Sequence, residues 1–190
     1  YAMEGSAYSA GSGIDWCMTN LGLCGASSEI ENMVQSVSSH DGVYFLPALT
    51  GLGSPFWRDD IKAQFVGMTP SSNKAHLLRA VLDSLVFQCQ LIISKLPTHS
   101  SLRSLIVDGG VSQSNYLCQY LADVTGLIIQ RSDSHEGTAL GVAQLAAQAF
   151  YPLNETSADM QSFFPSDISD QATIHYQEWL AYLHHNYSLS

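Results

Sequence analysis

Apolar residues fall into two patterns along the chain: short continuous runs, and longer stretches in which they return every three or four positions. Interleaved, these predict strands alternating with helices. Residues 1–8 read as a short strand and 10–13 as a small-residue turn. Ile14, Trp16, Met18 and Leu21 then predict a short helix that stops near Gly22 or Gly25. A second helix is expected to start at Ser27-Ser28-Glu29, with Ser28 as cap and Ile30, Met33, Val34 and Val37 on one face. Glu29 and Glu31 would sit at its positive end. The turn His40-Asp41-Gly42 leads into a buried strand at 43–46, stopped by Pro47, and 64–67 reads as another strand. Ser72 or Asn73 should cap a long helix to about Leu96, with Leu77, Leu78, Val81, Leu82, Leu85 and Ile92 as its apolar face and Pro97 as its end. Strands at 102–107 and 127–130 flank a helix at about 114–125 that stops at Gly126. A small-residue helix at 137–150, narrow enough to admit a close neighbour, is followed by a loop at 152–159. The last predicted helix, 171–186, is amphipathic through Ile174, Tyr176, Trp179, Leu180 and Leu183.

Composition narrows the class. The 190 residues are 46% hydrophobic and 13% charged, which suits one folded domain. The longest apolar run, around 81–87, is interrupted by Asp83 and Ser84, so no membrane span is expected. A formal net charge of −10, with seven Lys and Arg spread thinly, argues against nucleic acid as a partner. A local phosphate site is compatible with that charge, because backbone N–H groups bind phosphate without basic side chains. Cys17, Cys24, Cys89 and Cys118 have no metal-site spacing and read as buried reduced thiols, which points to the cytoplasm. The opening segment YAMEGSAYSAGSG resembles neither a leader nor an ordinary terminus and reads as the middle of a domain.

Two places could carry ligand chemistry. The run from Leu105 to Val107 delivers the chain to Asp108-Gly109-Gly110 just before a helix. Glycines there remove the Cβ atoms that would block a ligand, and the helix offers free N–H groups, at the strand end where nucleotides bind in α/β folds. A tight turn would use the same residues. Ala10-Gly11-Ser12-Gly13 has a similar, weaker logic. Neither matches a P-loop or a dinucleotide fingerprint. The loop at 47–57, rich in Gly, Pro and aromatics, serves either as a lid or as a packed surface loop, and its chemistry favours packing. His40, His76, His99 and His135 fall in separate elements, and His184 and His185 point apart on a helix, so solvated or capping roles are expected rather than a metal site. Asp59-Asp60 reads as a solvated turn.

Taken together, several segments resemble the FGGY carbohydrate kinases. A signature of that family is matched by Ala63, Phe65, Gly67 and Met68, then His76, Leu77, Ala80, Val81, Leu82 and Asp83. Residues 43–57, Tyr1-Ala2-Met3-Glu4-Gly5 and Thr138-Ala139-Leu140-Gly141 are similar to the glycerol kinase branch of the family. The likeness covers residues 1–150, with 151–190 expected to pack on the same domain. It implies an actin-like, ribonuclease-H-like α/β domain, the C-terminal half of a two-domain sugar kinase without its first strands, with ATP in a cleft between the halves. Gly11 and Gly110 match family glycines that line the nucleotide site. Asp15 stands where the branch usually has Gln, and Ser114 where it usually has Asn, with Asn115 one place on. An acid near a polyphosphate would weaken binding or redirect its contacts.

The resemblance further implies Mg²⁺ with ATP, and glycerol or a similar polyol held by a preceding half that also carries the catalytic Asp base. No catalytic or metal-ligating residue is therefore assigned within these 190 residues, and the fragment alone is expected to be inactive. Self-association through a face left open is expected as well. Two other functions fit the same residues. One is a kinase for another polyol or a pentulose. The other is a non-catalytic family relative with an assembly or regulatory role, which the departures at Asp15 and Ser114 keep open.

Overall fold

Helix α3 (Lys74–Ser94) is the element around which the others are laid. The computed structural model describes residues 3–8, 10–97, 101–132, 137–148, 150 and 159–189. Of the two candidate caps, Asn73 is the one used. Its Oδ1 accepts from the N–H groups of Ala75 and His76 at 2.9 and 3.4 Å, while His76 Nδ1 accepts from the Asn73 N–H at 3.2 Å. This reciprocal bonding satisfies donors that the first turn leaves free. Residues 80–88 are buried without exception, so α3 is covered on every side. By length and composition it is also apolar enough to cross a membrane, but most of it is packed inside the protein, as in a core helix.

Helices α1 (Ala10–Leu21), α2 (Ile30–Gln35) and α4 (Asn115–Thr125) pack on α3, and α6 (Ser169–Tyr187) packs on α4. Strand β1 (Tyr44–Leu46) also lies on α3 and pairs antiparallel with β2 (Gln64–Val66), Phe45 facing Phe65. Trp179 of α6 closes this side of the core, buried against Phe87 and donating from Nε1 to the Phe45 carbonyl at 3.1 Å. A second sheet has the order β3–β4–β5: β3 (Ser104–Val107) runs parallel to β4 (Ile128–Ser132), and β5 (Met160–Phe163) antiparallel to it. With α4 crossing between β3 and β4 this is a βαβ unit. Helix α5 (Gly137–Gln148) has no buried side chain among its described residues.

Several expectations are corrected. Residues 3–8 form no strand, and 10–13 are the first turn of α1 rather than a turn before it. Ser28 caps nothing. The chain enters α2 through a 3₁₀ turn at Ser27–Glu29, held instead by the Glu29 carboxylate accepting from the Gly25 N–H at 3.0 Å. Strand β5 was not foreseen, because Met-Gln-Ser-Phe lacks both alternation and β-branched residues; backbone pairing to β4 makes it a strand. On α6 the buried face is Ala172, Tyr176, Trp179 and Leu183, while Ile174 points outward. Cys17 and Cys118 are buried, but Cys89 is exposed; all four cysteines are free thiols. The loop at 47–57 is packed: Leu52 and Arg58 exchange N–H···O bonds at 2.7 and 3.0 Å, and a Cβ on Gly53 would come within 2.3 Å of the Ser6 carbonyl oxygen. Most of the predicted loop at 152–159 lies outside the described residues.

Candidate functional site

Strand β3 delivers the chain to Asp108 and Gly109, whose φ of +94° is open to glycine and strained for other residues. A 3₁₀ turn over Gly110–Gln113 follows, and Ser114 then caps α4, its Oγ accepting from the Leu117 N–H at 3.1 Å. The turn is braced from the neighbouring strand. Parallel pairing sets Arg131 of β4 beside Val107, and its guanidinium donates to the carbonyls of Ser112 and Gln113 at 2.9 and 3.0 Å and to Asn115 Oδ1 at 2.9 Å. A Cβ on Gly110 would meet no atom of the described residues within 4 Å, so the space beside it is open with respect to them.

The facing wall is the first turns of α1. Gly11 lies there, and a Cβ on it would come to 3.4 Å from Val111 Cγ2. Ile14 and Asp15 follow, with Ser27, Ser28, Ile30 and Glu31 from the entry to α2 completing the wall and Leu82 of α3 behind. Between the walls is a cleft of about 750 Å³, within the usual size range of small-molecule sites. All four residues named from sequence, Gly11, Asp15, Gly110 and Ser114, line it. Among the described residues no Lys, Arg or His does, and the carboxylates lining it are Asp15 and Glu31.

Glu31 links the two sides of this cleft. One carboxylate oxygen accepts from Ser114 Oγ at 2.7 Å and the other from the Tyr116 N–H at 2.9 Å. An anion on the free N–H groups of a helix start is favourable, and the charged acceptor strengthens both bonds. Sequence had suggested only that Glu31 complements its own helix. Its partner is a different helix, 83 and 85 positions away.

Behind the cleft lies a buried polar group. Tyr116 Oη donates to Asp83 Oδ1 at 2.5 Å, and the Arg79 guanidinium lies over the Tyr116 ring at 4.9 Å. Burial pushes the Asp83 carboxyl up to about 7, with the Tyr116 hydroxyl and Arg79 acting the other way. His40, expected to be solvated or capping, is 3% exposed with neither ring nitrogen hydrogen-bonded. Burial, then the neighbouring His175 and Arg79, push it down to about 4. His76 does act as a cap. Among the described residues no group of three or more potential ligands could hold a metal on its own.

Comparison with known proteins agrees with this architecture. A profile of the FGGY family of carbohydrate kinases, C-terminal domain, matches residues 1–150. The glycerol kinase of Listeria welshimeri is 40% identical over 151 residues, covering 78% of this chain and 30% of the relative. That of Desulfitobacterium hafniense is 37% identical over 187 residues, covering 94% of this chain and 38% of the relative. The chain thus spans about a third of the length of these relatives. Among solved structures, Plasmodium falciparum glycerol kinase with ADP superposes with a TM-score of 0.81 at 27% identity, over 96% of this chain and 38% of that one. Ligand-bound xylulose kinase from Lactobacillus acidophilus shares the fold, with a TM-score of 0.74 at 22% identity over 97% of this chain and 40% of that one. A cleft built between a strand-end glycine turn and a facing helix, in a chain matched over most of its length by that profile, has one assignment: the chain belongs to the FGGY family of carbohydrate kinases, as a C-terminal domain of actin-like fold.

Proposed function

We propose that this chain is the nucleotide-binding part of an ATP-dependent kinase that transfers the γ-phosphate of ATP to glycerol, giving glycerol 3-phosphate. The observation that carries the reading is the meeting of Gly11, Asp15, Gly110 and Ser114 in one cleft, in a domain similar to glycerol kinases. Open space beside Gly110 admits a ligand against the backbone, and the starts of α1 and of the Gly110 turn present N–H groups suited to phosphate oxygens. Superposition on a glycerol kinase with ADP supports a nucleotide as the ligand.

With two carboxylates and no basic side chain among the described residues of the lining, a bare polyphosphate would meet an unfavourable field there. Mg²⁺ bound with ATP would relieve that, with Asp15 and Glu31 as the lining carboxylates that could face it, since this ion is commonly held by phosphates and one or two carboxylates. The metal would neutralise charge on the transferred phosphoryl group. The chain's own residues bind and orient: Gly11 and Gly110 let the phosphates approach, and Ser114 and Asp15 contact the remainder of the nucleotide. The polyol and the base that takes its proton belong, on the family resemblance, to a separate half. The 190 residues alone are therefore proposed to bind ATP without phosphorylating glycerol. Four free thiols suit a reducing compartment such as the cytoplasm.

Calorimetric titration with ATP tests the reading. Binding is expected in the presence of Mg²⁺, weakened at least about tenfold by EDTA and by Gly110→Leu, which fills the open space. Absence of binding by the wild-type chain would overturn it and favour a non-catalytic relative. ADP release with glycerol by the 190 residues alone would refute the proposed division of labour. Turnover by the longer protein with another polyol but not glycerol would move the substrate assignment to that polyol.

A further inference from the structure

Helix α2 separates two hollows. Its start contributes Ile30 and Glu31 to the cleft, and the turn after its end contributes Ser38 and Ser39 to a second cavity of about 340 Å³. The other polar walls of this cavity are Arg79 of α3, Tyr120 of α4, and Gln171 and His175 of α6. Among the described residues no carboxylate lines it, although the chain carries a net charge of −10. The lining is thus rich in donors: a guanidinium, three hydroxyls, an amide and an imidazole.

The donors are not fully used. Arg79 spends Nη1 on the Val37 and Val34 carbonyls at 2.5 and 3.4 Å, while its Nε is buried with no hydrogen-bond partner. That nitrogen is too buried to meet a ligand, so the guanidinium would act on an anion in the cavity through its charge. His40 stands directly behind His175, the two rings edge to face at 4.3 Å, and neither nitrogen of His40 has a partner. His175 Nδ1 lies 3.2 Å from Tyr120 Oη, and its Nε2 lies 3.0 Å from the Gln171 amide nitrogen. The first turn of α6, which supplies Gln171, has no side-chain cap, so the positive end of a 19-residue helix faces the same region. The acids nearby stand outside the lining: Asp170 on that turn, Asp41 near His40, Glu178 one turn beyond His175, Asp83 buried beside Arg79, and Asp123, which accepts from the Ser166 N–H ahead of α6.

We infer that this cavity is a binding site for a compact oxyanion, inorganic phosphate or the phosphoryl group of a small phosphomonoester. The Arg79 charge attracts such a group, hydroxyls supply hydrogen bonds, and a helix start adds favourable field. The site is separate from the cleft and independent of the ATP reading. Burial and Arg79 both hold His175 below the ordinary imidazole range, with Glu178 opposing them. An anion against Arg79 cancels part of that, so occupancy should register on the His175 ring.

The test uses the full chain with ¹³C-labelled histidine rings at neutral pH and constant ionic strength. Adding inorganic phosphate is expected to shift the His175 resonance saturably, with a Kd on the order of millimolar, while an equivalent ionic strength of chloride leaves it in place. Arg79→Gln should weaken the response at least about tenfold. Because Arg79 also braces α2, Ser38→Glu serves as the second variant. It changes an exposed residue and sets a carboxylate beside Arg79, competing with the anion while leaving the fold intact. Glycerol 2-phosphate separates the two sources: a tighter response than to phosphate assigns a monoester, and a weaker one assigns free phosphate. A His175 resonance unmoved by either compound overturns the inference, as does an undiminished response in Ser38→Glu.

Discussion

Burial holds the Asp83 carboxyl up at about 7 and the His40 imidazole down at about 4, and the two shifts act on stability with opposite signs. From 3.8 to about 7 the folded chain keeps a proton on Asp83 that the unfolded chain releases, so this contribution weakens as pH rises through that window. From about 4 to 6.5 the unfolded chain protonates His40 and the folded one does not, so this contribution strengthens as pH rises. His175, also lowered, adds to the second slope. Asp83→Asn keeps an acceptor for Tyr116 Oη and should expose the histidine slope, with Tm rising up to pH 6.5 and levelling above. His40→Phe should do the reverse and give a Tm that falls toward pH 7. Thermal melts by circular dichroism decide this; an Asp83→Asn profile parallel to wild type would refute it. Two glycines make a contrasting pair. Gly67 has φ +75° and a Cβ there would lie 2.0 Å from the Gly42 carbonyl oxygen, so Gly67→Ala should cost about 2 kcal/mol or more in urea unfolding. Gly110→Ala meets no atom of the described residues and should leave unfolding within about 1 kcal/mol of wild type. Both positions stood out in the sequence as family glycines, but only the tertiary neighbours distinguish a packing glycine from one beside open space.

Among the elements, the latch between α2 and α4 is the most informative. Glu31→Ala leaves Ser114 Oγ and the Tyr116 N–H without their acceptor and removes an anion from the start of α4. A loss on the order of 1–3 kcal/mol is expected in urea unfolding, with Glu31→Gln intermediate because it keeps one acceptor. Amide exchange at Tyr116 should accelerate in Glu31→Ala; unchanged protection there would show that the latch does not hold the helix start. Helices α3 and α4 were legible because local chemistry marks them: Asn73 as the cap of α3, Gly126 as the stop of α4, and apolar periodicity along α3, whereas the cap at Ser114 was not foreseen. The first turn of α1 was misread because Ala-Gly-Ser-Gly has weak helix propensity, and burial of Ile14 and Cys17 overrides it. Strand β5 was invisible because its only warrant is a neighbour's free edge.

For the whole molecule, the distribution of exposed apolar side chains matters most. Ile106 on β3 is 66% exposed, and Val142 and Leu145 on α5 are 63% and 68% exposed. β3 also ends the described sheet. Apolar surface beside an open strand edge favours association. The 190-residue chain is expected to self-associate as concentration rises, seen by size-exclusion chromatography with light scattering, and Leu145→Glu should shift it toward monomer. Elution as a monomer at every concentration would remove this expectation.

Sequence alone determined the alternation of strands and helices, the long core helix, the glycine turn after β3 and the family, because those depend on local periodicity, capping and short motifs. The tertiary structure decided which of these meet. It brought Gly11 and Asp15 opposite Gly110 and Ser114, placed Glu31 on a foreign helix start, and gathered Arg79, Tyr120 and His175 around a second cavity. The physical reason is that hydrogen bonds and field effects depend on distance in space. Residues far apart along the chain become neighbours only when the burial of α3 has set the position of every element around it.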